Sequence, residues 1–301
     1  MDYITPSIWA KHKVAMNKVN KEEIIGLNWW ARERVRGFMT GLHKSPDFGF
    51  SLDFAQHRAY VPGDAPKFID WTVLARQDKY LTKQFEAESN LRAYFLLDSS
   101  ASMYGSVGSK WSYAVRQIAL SAALLSKQRD ALGLMDIREG EEVLFEAKNT
   151  DDALEQLLFH LANRCELSIG NGSMAGAAER LLSQIPPRSE VIVLTDVYHE
   201  NLEGFTKQLG ALVDAGHFVK LVLMISLKEE LDVQFYGGSF VADSETGEKT
   251  MLSLKDTEGL PEFIQGQIQV VKEQSALYGI KYTVLYVEDN PLHSFRKIIA
   301  S

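Results

Sequence analysis

The sequence predicts an α/β fold: a doubly wound, mostly parallel sheet preceded by a mixed, β-containing N-terminal extension. Three observations carry this. From residue 91 onward, short apolar runs alternate with stretches of helical period. Several of those runs are almost continuously apolar, as strands covered on both faces must be. Strand–helix repetition in turn implies parallel pairing through right-handed crossovers.

Arg92–Asp98 (RAYFLLD) reads as the first buried strand. Beyond a Ser/Gly-rich loop, Trp111, Ala114, Val115, Ile118, Ala119, Ala122 and Ala123 recur at helical spacing. Ala131–Ile137 is the next strand, and Arg138–Glu141, containing Gly140, turns it into Val143–Ala147 as a hairpin. Leu154, Leu157, Leu158 and Leu161 mark a second amphipathic helix, and Met174–Leu182 a third. Glu190–Thr195 is another buried strand; Leu202, Phe205, Leu209 and Leu212 form the next helix stripe, and Phe218–Ile225 the next strand. Residues 228–257 interrupt the pattern and read as an inserted hairpin. Pro261–Leu277 resumes it as a helix, and Lys281–Val287 is the final strand.

The first ninety residues read differently. Val35–Lys44 and Phe48–Phe54 contain Gly37, Gly41 and Gly49, and no helix period persists through them. Tyr60-Val-Pro-Gly-Asp64 is a turn signature, and Tyr80–Glu88 alternates as a strand does. Charge changes at the same place. Residues 1–90 carry thirteen Lys/Arg and eleven Asp/Glu, whereas residues 91–301 carry nineteen and twenty-nine. The division expected is an extension over 1–89 and a main domain over 90–301, packed together because no low-complexity linker separates them.

A net charge of −8 argues against a protein that coats nucleic acid. The best apolar run, Phe218 to Leu227, is half the ~20 residues of a membrane span and contains Lys220. No signal-type apolar core lies in Met1 to Lys21, and the single cysteine, Cys165, fits a reducing compartment. The expected location is cytoplasmic.

Ligands of a doubly wound sheet bind beyond the carboxyl ends of its strands, at the topological switch point. Those ends supply Asp98-Ser99-Ser100-Ala101-Ser102 after the first strand, Gly170-Asn171-Gly172-Ser173 before the third helix, and Leu194-Thr195-Asp196. All are oxygen donors, which suits a hard cation such as Mg²⁺. Taken singly, each has an ordinary explanation. Ser173 can cap the helix that follows it, Asp196 can cap the helix near Leu202, and the histidines, lacking ligand spacing, are structural or surface residues. His199 follows Asp196 onto the same rim.

The D-x-S-x-S string, the later hydroxyl and the Asp ending a further strand resemble the metal-ion-dependent adhesion site of von Willebrand factor A-type domains. The resemblance implies Ser100, Ser102 and Ser173 as ligands of Mg²⁺ or Mn²⁺, with Asp98 and Asp196 supporting or bridged by water. Ser173 stands where the family generally has Thr. A longer resemblance runs through Gly41-Leu-His43-x-Ser45-x3-Gly49-x-Ser51-x-Asp53-Phe54, Arg58-x-Tyr60-x-Pro-Gly-Asp64, Ile69-Asp70-Trp71-x3-Ala75-Arg76, Lys83-x-Phe85-Glu86 and Phe240-x2-Asp243-x-Glu245-Thr246-Gly247-Glu248. This is similar to the bacterial family called domain of unknown function fifty-eight, with Ala65 and Lys67 replacing its usual Asp and Arg. The resemblance implies a MoxR-type AAA+ ATPase as partner and chaperone-like or complex-maturation work.

Enzyme signatures fail. Gly105-x-x-Gly108-Ser-Lys110 has the wrong spacing for a phosphate loop, and Trp111 takes the place of its final hydroxyl. There is no G-x-G-x-x-G after the first strand, no G-x-S-x-G elbow and no H-E-x-x-H; Ser100 stands where a D-x-D phosphatase needs its second Asp. No catalytic residue is expected. The reading is a non-enzymatic adaptor that recruits a client carboxylate to a bound metal. The alternatives are a Mg²⁺/Mn²⁺-dependent phosphoester hydrolase using Asp98, Asp196 or His199 as base, and a metal-free scaffold.

Overall fold

The computed structural model describes residues 21–42, 54–61, 69–85, 91–103, 110–138, 141–150, 152–163, 173–199, 201–231, 240–242, 249–251 and 259–300. In chain order the N-terminal part holds α1 (Lys21–Leu42), β1 (Phe54–Ala59), α2 (Trp71–Gln77) and β2 (Leu81–Phe85). Then follow β3 (Arg92–Leu97), a 3₁₀ turn (Ala101–Met103), α3 (Lys110–Lys127), β4 (Ala131–Arg138), β5 (Glu141–Lys148), α4 (Ala153–Asn163) and α5 (Met174–Gln184). The remainder is β6 (Glu190–Thr195), α6 (Leu202–Asp214), β7 (Phe218–Ile225), a π-helical turn (Leu227–Leu231), β8 (Phe240–Ala242), β9 (Lys249–Met251), α7 (Leu260–Tyr278), β10 (Lys281–Tyr286) and α8 (Pro291–Ala300).

Six strands form one sheet in the order β10-β7-β6-β3-β4-β5. All its pairings are parallel except that of β5 with β4. Period-two alternation sends neighbouring residues of each strand into different cores. Phe95, Leu97, Leu194 and Met224 pack with α1, α3, α4 and α8 on one face. Tyr94, Leu96, Val193 and Leu223 pack with α5, α6 and α7 on the other. Two covered faces explain why β3 reads as an unbroken apolar run. On the second face, α6 and α7 approach closely at Gly210, where a Cβ would lie 2.7 Å from the Tyr278 ring.

The N-terminal part departs from its sequence reading. β2 falls within the strand read at Tyr80–Glu88 and pairs antiparallel with β1, which was not anticipated, and α1 runs through Val35 and on to Leu42, where Gly37 and Gly41 suggested no helix. Leu27, Ala31 and Val35, four residues apart on one stripe, are buried in the first core, where α1 packs on α3 and α4. That burial outweighs the ~1 kcal/mol each glycine costs in helix propensity. Asp70 caps α2 by accepting the N–H groups of Thr72 and Val73, and it pairs with His57 at 2.8 Å. Helix α8, after the last strand, was also not anticipated. Among the described residues no helix is long and apolar enough to cross a membrane. β8 and β9 pair antiparallel between the π-helical turn and α7.

Candidate metal centre

After β3 the chain builds β4 and β5 on one side, then crosses back to lay β6 on the other side of β3. The carboxyl ends of β3 and β6 therefore flank the switch point of the sheet. Asp98 and Asp196 are the first residues beyond them, and both are buried.

Asp98 is tied to both strands, since its own N–H donates to Leu194 O at 3.0 Å. Its Oδ1 accepts the Ser100 N–H at 2.8 Å, an Asx turn that reverses the chain. The Met103 N–H donates to Ser100 O at 3.1 Å, and the fully buried Met103 side chain pins the 3₁₀ turn in the first core. The half-buried hydroxyls of Ser100 and Ser102 are thereby brought 3.0 Å apart.

Thr195 Oγ1 donates to Asp98 Oδ2 at 2.5 Å and lies 2.7 Å from His199 Nε2. A hydroxyl has one proton and an ionised carboxylate accepts only, so with Asp98 ionised it is His199 Nε2 that carries a hydrogen toward Thr195. The imidazole stacks on Phe205, with ring centres 4.7 Å apart, and its Nε2 is 4.0 Å from Asp98 Oδ2. Asp98 thus accepts directly from a hydroxyl and a backbone N–H, with the His199 imidazole 4.0 Å away and no lysine or arginine bonded to it among the described residues.

Asp196 is held differently. Lys110, the first residue of α3, donates from Nζ to Asp196 Oδ2 at 2.7 Å and to Glu230 Oε1 at 2.5 Å. Its ammonium also sits 4.8 Å from the centre of the Tyr198 ring. Asp196 Oδ1 accepts the Tyr198 N–H at 3.0 Å, and Glu230 Oε2 the Ser226 N–H at 2.7 Å. Burial disfavours charge on all three groups. The two carboxylates outweigh it for Lys110 and hold its pKa above the ordinary lysine value. Burial pushes Asp196 up as well, but Lys110, aided by His199, brings it below the usual range. For Glu230 burial prevails, and its carboxyl is raised.

A third buried acid, Asp136 on β4, lies beside β3 opposite Leu97. Its Oδ1 accepts the Ser99 hydroxyl at 3.4 Å and its Oδ2 is 3.2 Å from His160 Nε2, while Trp111 Nε1 donates to Ser99 at 3.3 Å.

Four of the five residues read from the sequence, Asp98, Ser100, Ser102 and Asp196, meet at the switch point. Ser173 caps α5, its exposed hydroxyl accepting the Gly176 N–H at 3.1 Å. Because the short connection 185–189 returns α5 to the start of β6, Ser173 lies on the same edge of the sheet. Gly170 to Gly172, Cys165, Asp64 and residues 243–248 lie outside the described residues. Potential ligand atoms of Asp98, Asp196 and His199 all lie within 4.8 Å of one another. The donor set fits a hard cation: two hydroxyl oxygens 3.0 Å apart match adjacent corners of an octahedron with bonds of about 2.1 Å. Sequence reading missed Lys110, Glu230 and Thr195. The one local signal was a lysine opening a helix whose next residues, Trp111, Ala114 and Val115, carry its apolar stripe.

A family model described as a protein of unknown function, DUF58, matches residues 56–269. The chain belongs to this family. The DUF58 match runs from β1 into α7 and so takes in every residue of the candidate centre. No curated protein matches the sequence. A solved structure described as the conserved hypothetical protein BatB from Bacteroides thetaiotaomicron is similar to this DUF58 chain, at 13% identity over 70% of this chain and 97% of that one, with a TM-score of 0.46.

Proposed function

We propose that the protein is a non-enzymatic, metal-dependent adaptor built on a von Willebrand factor A-type domain, working in the cytoplasm with a MoxR-type AAA+ ATPase. The observation that carries this reading is the contrast between the two aspartates at the switch point. Asp196 bonds a lysine directly, whereas Asp98 bonds a hydroxyl and a backbone N–H, with His199 4.0 Å off. A buried carboxylate beside two half-buried serine hydroxyls is a place where an added cation is stabilised. Ser100, Ser102 and Ser173 would hold Mg²⁺ or Mn²⁺ directly, with Asp98 and Asp196 acting through water. When bound, the ion reverses the local charge and lets an acidic side chain of a client complete its coordination.

The chain's own residues prepare that event. Thr195 and the Asx turn fix the Asp98 carboxylate, and Met103 anchors the turn that presents both serines. A hydrolase reading would need Asp98, Asp196 or His199 as base, and each is already engaged: Asp98 by Thr195 and Ser100, Asp196 by Lys110 and Tyr198, and His199 Nε2 by Thr195. Chelator-treated protein should bind Mg²⁺ or Mn²⁺ in calorimetric titration, and pull-down of the ATPase or client should fail in EDTA and in Asp98→Ala. Pull-down unchanged by both, with the fold intact, would refute the adaptor reading.

A further inference from the structure

We propose that Lys110 is a positioning residue of the cation site: a tethered ammonium that keeps Asp196 out of direct ligation and so holds the affinity for a divalent ion down. This rests on the reading of the switch point as a metal centre.

The geometry is specific. Lys110, Asp196 and Glu230 are buried and come from the start of α3, the end of β6 and the π-helical turn after β7. Every oxygen of the two carboxylates has a donor: Lys110 for one on each, the Tyr198 N–H for the other on Asp196, and the Ser226 N–H for the other on Glu230. An ion bonded to either Asp196 oxygen would come close to an ammonium that already sits 2.7 Å from Oδ2. Like charges so near one another in a buried site repel strongly. The lysine cannot withdraw to make room, because leaving would strand Glu230 and Asp196 as uncompensated buried charges. A water-bridged approach to Asp196 keeps the two cations further apart. Direct ligation is left to the serine hydroxyls, beside an Asp98 that has no lysine.

The consequence is a loosely charged site that exchanges its ion. Asp98, Asp196 and Glu230 count three negative charges when ionised, and Lys110 removes one of them before any metal arrives. Replacing Lys110 alone would leave the two acids unpaired, so the informative variant removes one charge of each sign. In Lys110→Met/Glu230→Gln, Asp196 is freed while the net charge is kept.

The experiment is calorimetric titration of the chelator-treated full chain with Mn²⁺, repeated with Mg²⁺, with folding checked by circular dichroism. The double variant is expected to bind at least tenfold more tightly than the wild type. A second variant, Glu230→Gln alone, leaves Lys110 wholly to Asp196 and should weaken binding at least threefold, so the two changes have opposite signs. A merely structural lysine would not produce that pattern. Wild-type binding with a folded double variant no tighter, or Glu230→Gln unchanged or tighter, overturns the role of Lys110 and leaves the metal centre standing. If neither wild type nor variants bind either ion, the metal centre itself falls, and this role with it.

Discussion

Asp98 and Asp196 end adjacent parallel strands and are buried to the same depth, yet they are stabilised by opposite means. Asp196 faces a lysine whose same ammonium also bonds Glu230, a closed, buried group of two acids and one base. Asp98 faces the hydroxyl of Thr195 and the N–H of Ser100, with the His199 ring 4.0 Å away. Neutral donors can keep a carboxylate ionised, but they leave its charge to be matched from elsewhere. The difference teaches that equal burial does not mean equal pairing. What separates the two is whether the fold bonds a lysine directly to the carboxylate.

The comparison breaks most visibly at Lys110. Lys110→Met strands two carboxylates in the core and is expected to cost about 3–5 kcal/mol. At roughly 2–4 °C per kcal/mol for a chain of this size, thermal unfolding should show a fall of about ten degrees. A variant as stable as the wild type would mean that the closed group is not what holds this edge together. Asp98→Asn should cost less. The amide keeps one acceptor oxygen but turns its NH2 toward the other donor, so the metal-free protein should lose about 1–3 kcal/mol. On the proposed reading, Mg²⁺ is expected to raise the melting temperature of the wild type and not that of this variant. A large destabilisation in the absence of metal would show that Asp98 is structural after all.

Much of the frame was legible because its signals are local. Glu190–Thr195 and Phe218–Ile225 are strands to the residue, since a strand buried on both faces announces itself as an apolar run. The Asp98–Ser102 loop was legible for the same reason, because an Asx turn and its hydroxyls lie within five residues. Helix α1 was not, because its stripe of Leu27, Ala31 and Val35 is only three residues wide and its tail holds two glycines. The pairing of Lys110 with Glu230 was out of reach altogether: 120 residues separate them, and no periodicity encodes a contact made only when β6 and β7 lie side by side. Thr195 read as the last residue of a strand, and nothing in the string LTD tells which way its hydroxyl points.

The amino edge of the sheet sharpens the comparison by handling a buried titratable group in a third way. His217, just before β7, is buried, and its Nδ1 accepts the Ser189 N–H at 3.3 Å, which requires that nitrogen to be unprotonated. Burial lowers its pKa. The folded protein therefore refuses a proton that the unfolded chain accepts at the ordinary histidine value of about 6.5. Stability from this source is present above that pH and is lost as pH falls through and below it. His217→Gln should flatten the slope of stability against pH in that range, measured by urea unfolding at a series of pH values, and this is the smallest of the three effects. An unchanged slope would mean that the histidine finds a partner for its proton in the folded state. At the carboxyl edge Asp196 is bonded to a lysine and Asp98 to a hydroxyl and a backbone N–H; at the amino edge the group is simply kept neutral, the third way in which one sheet accommodates a buried ionisable side chain.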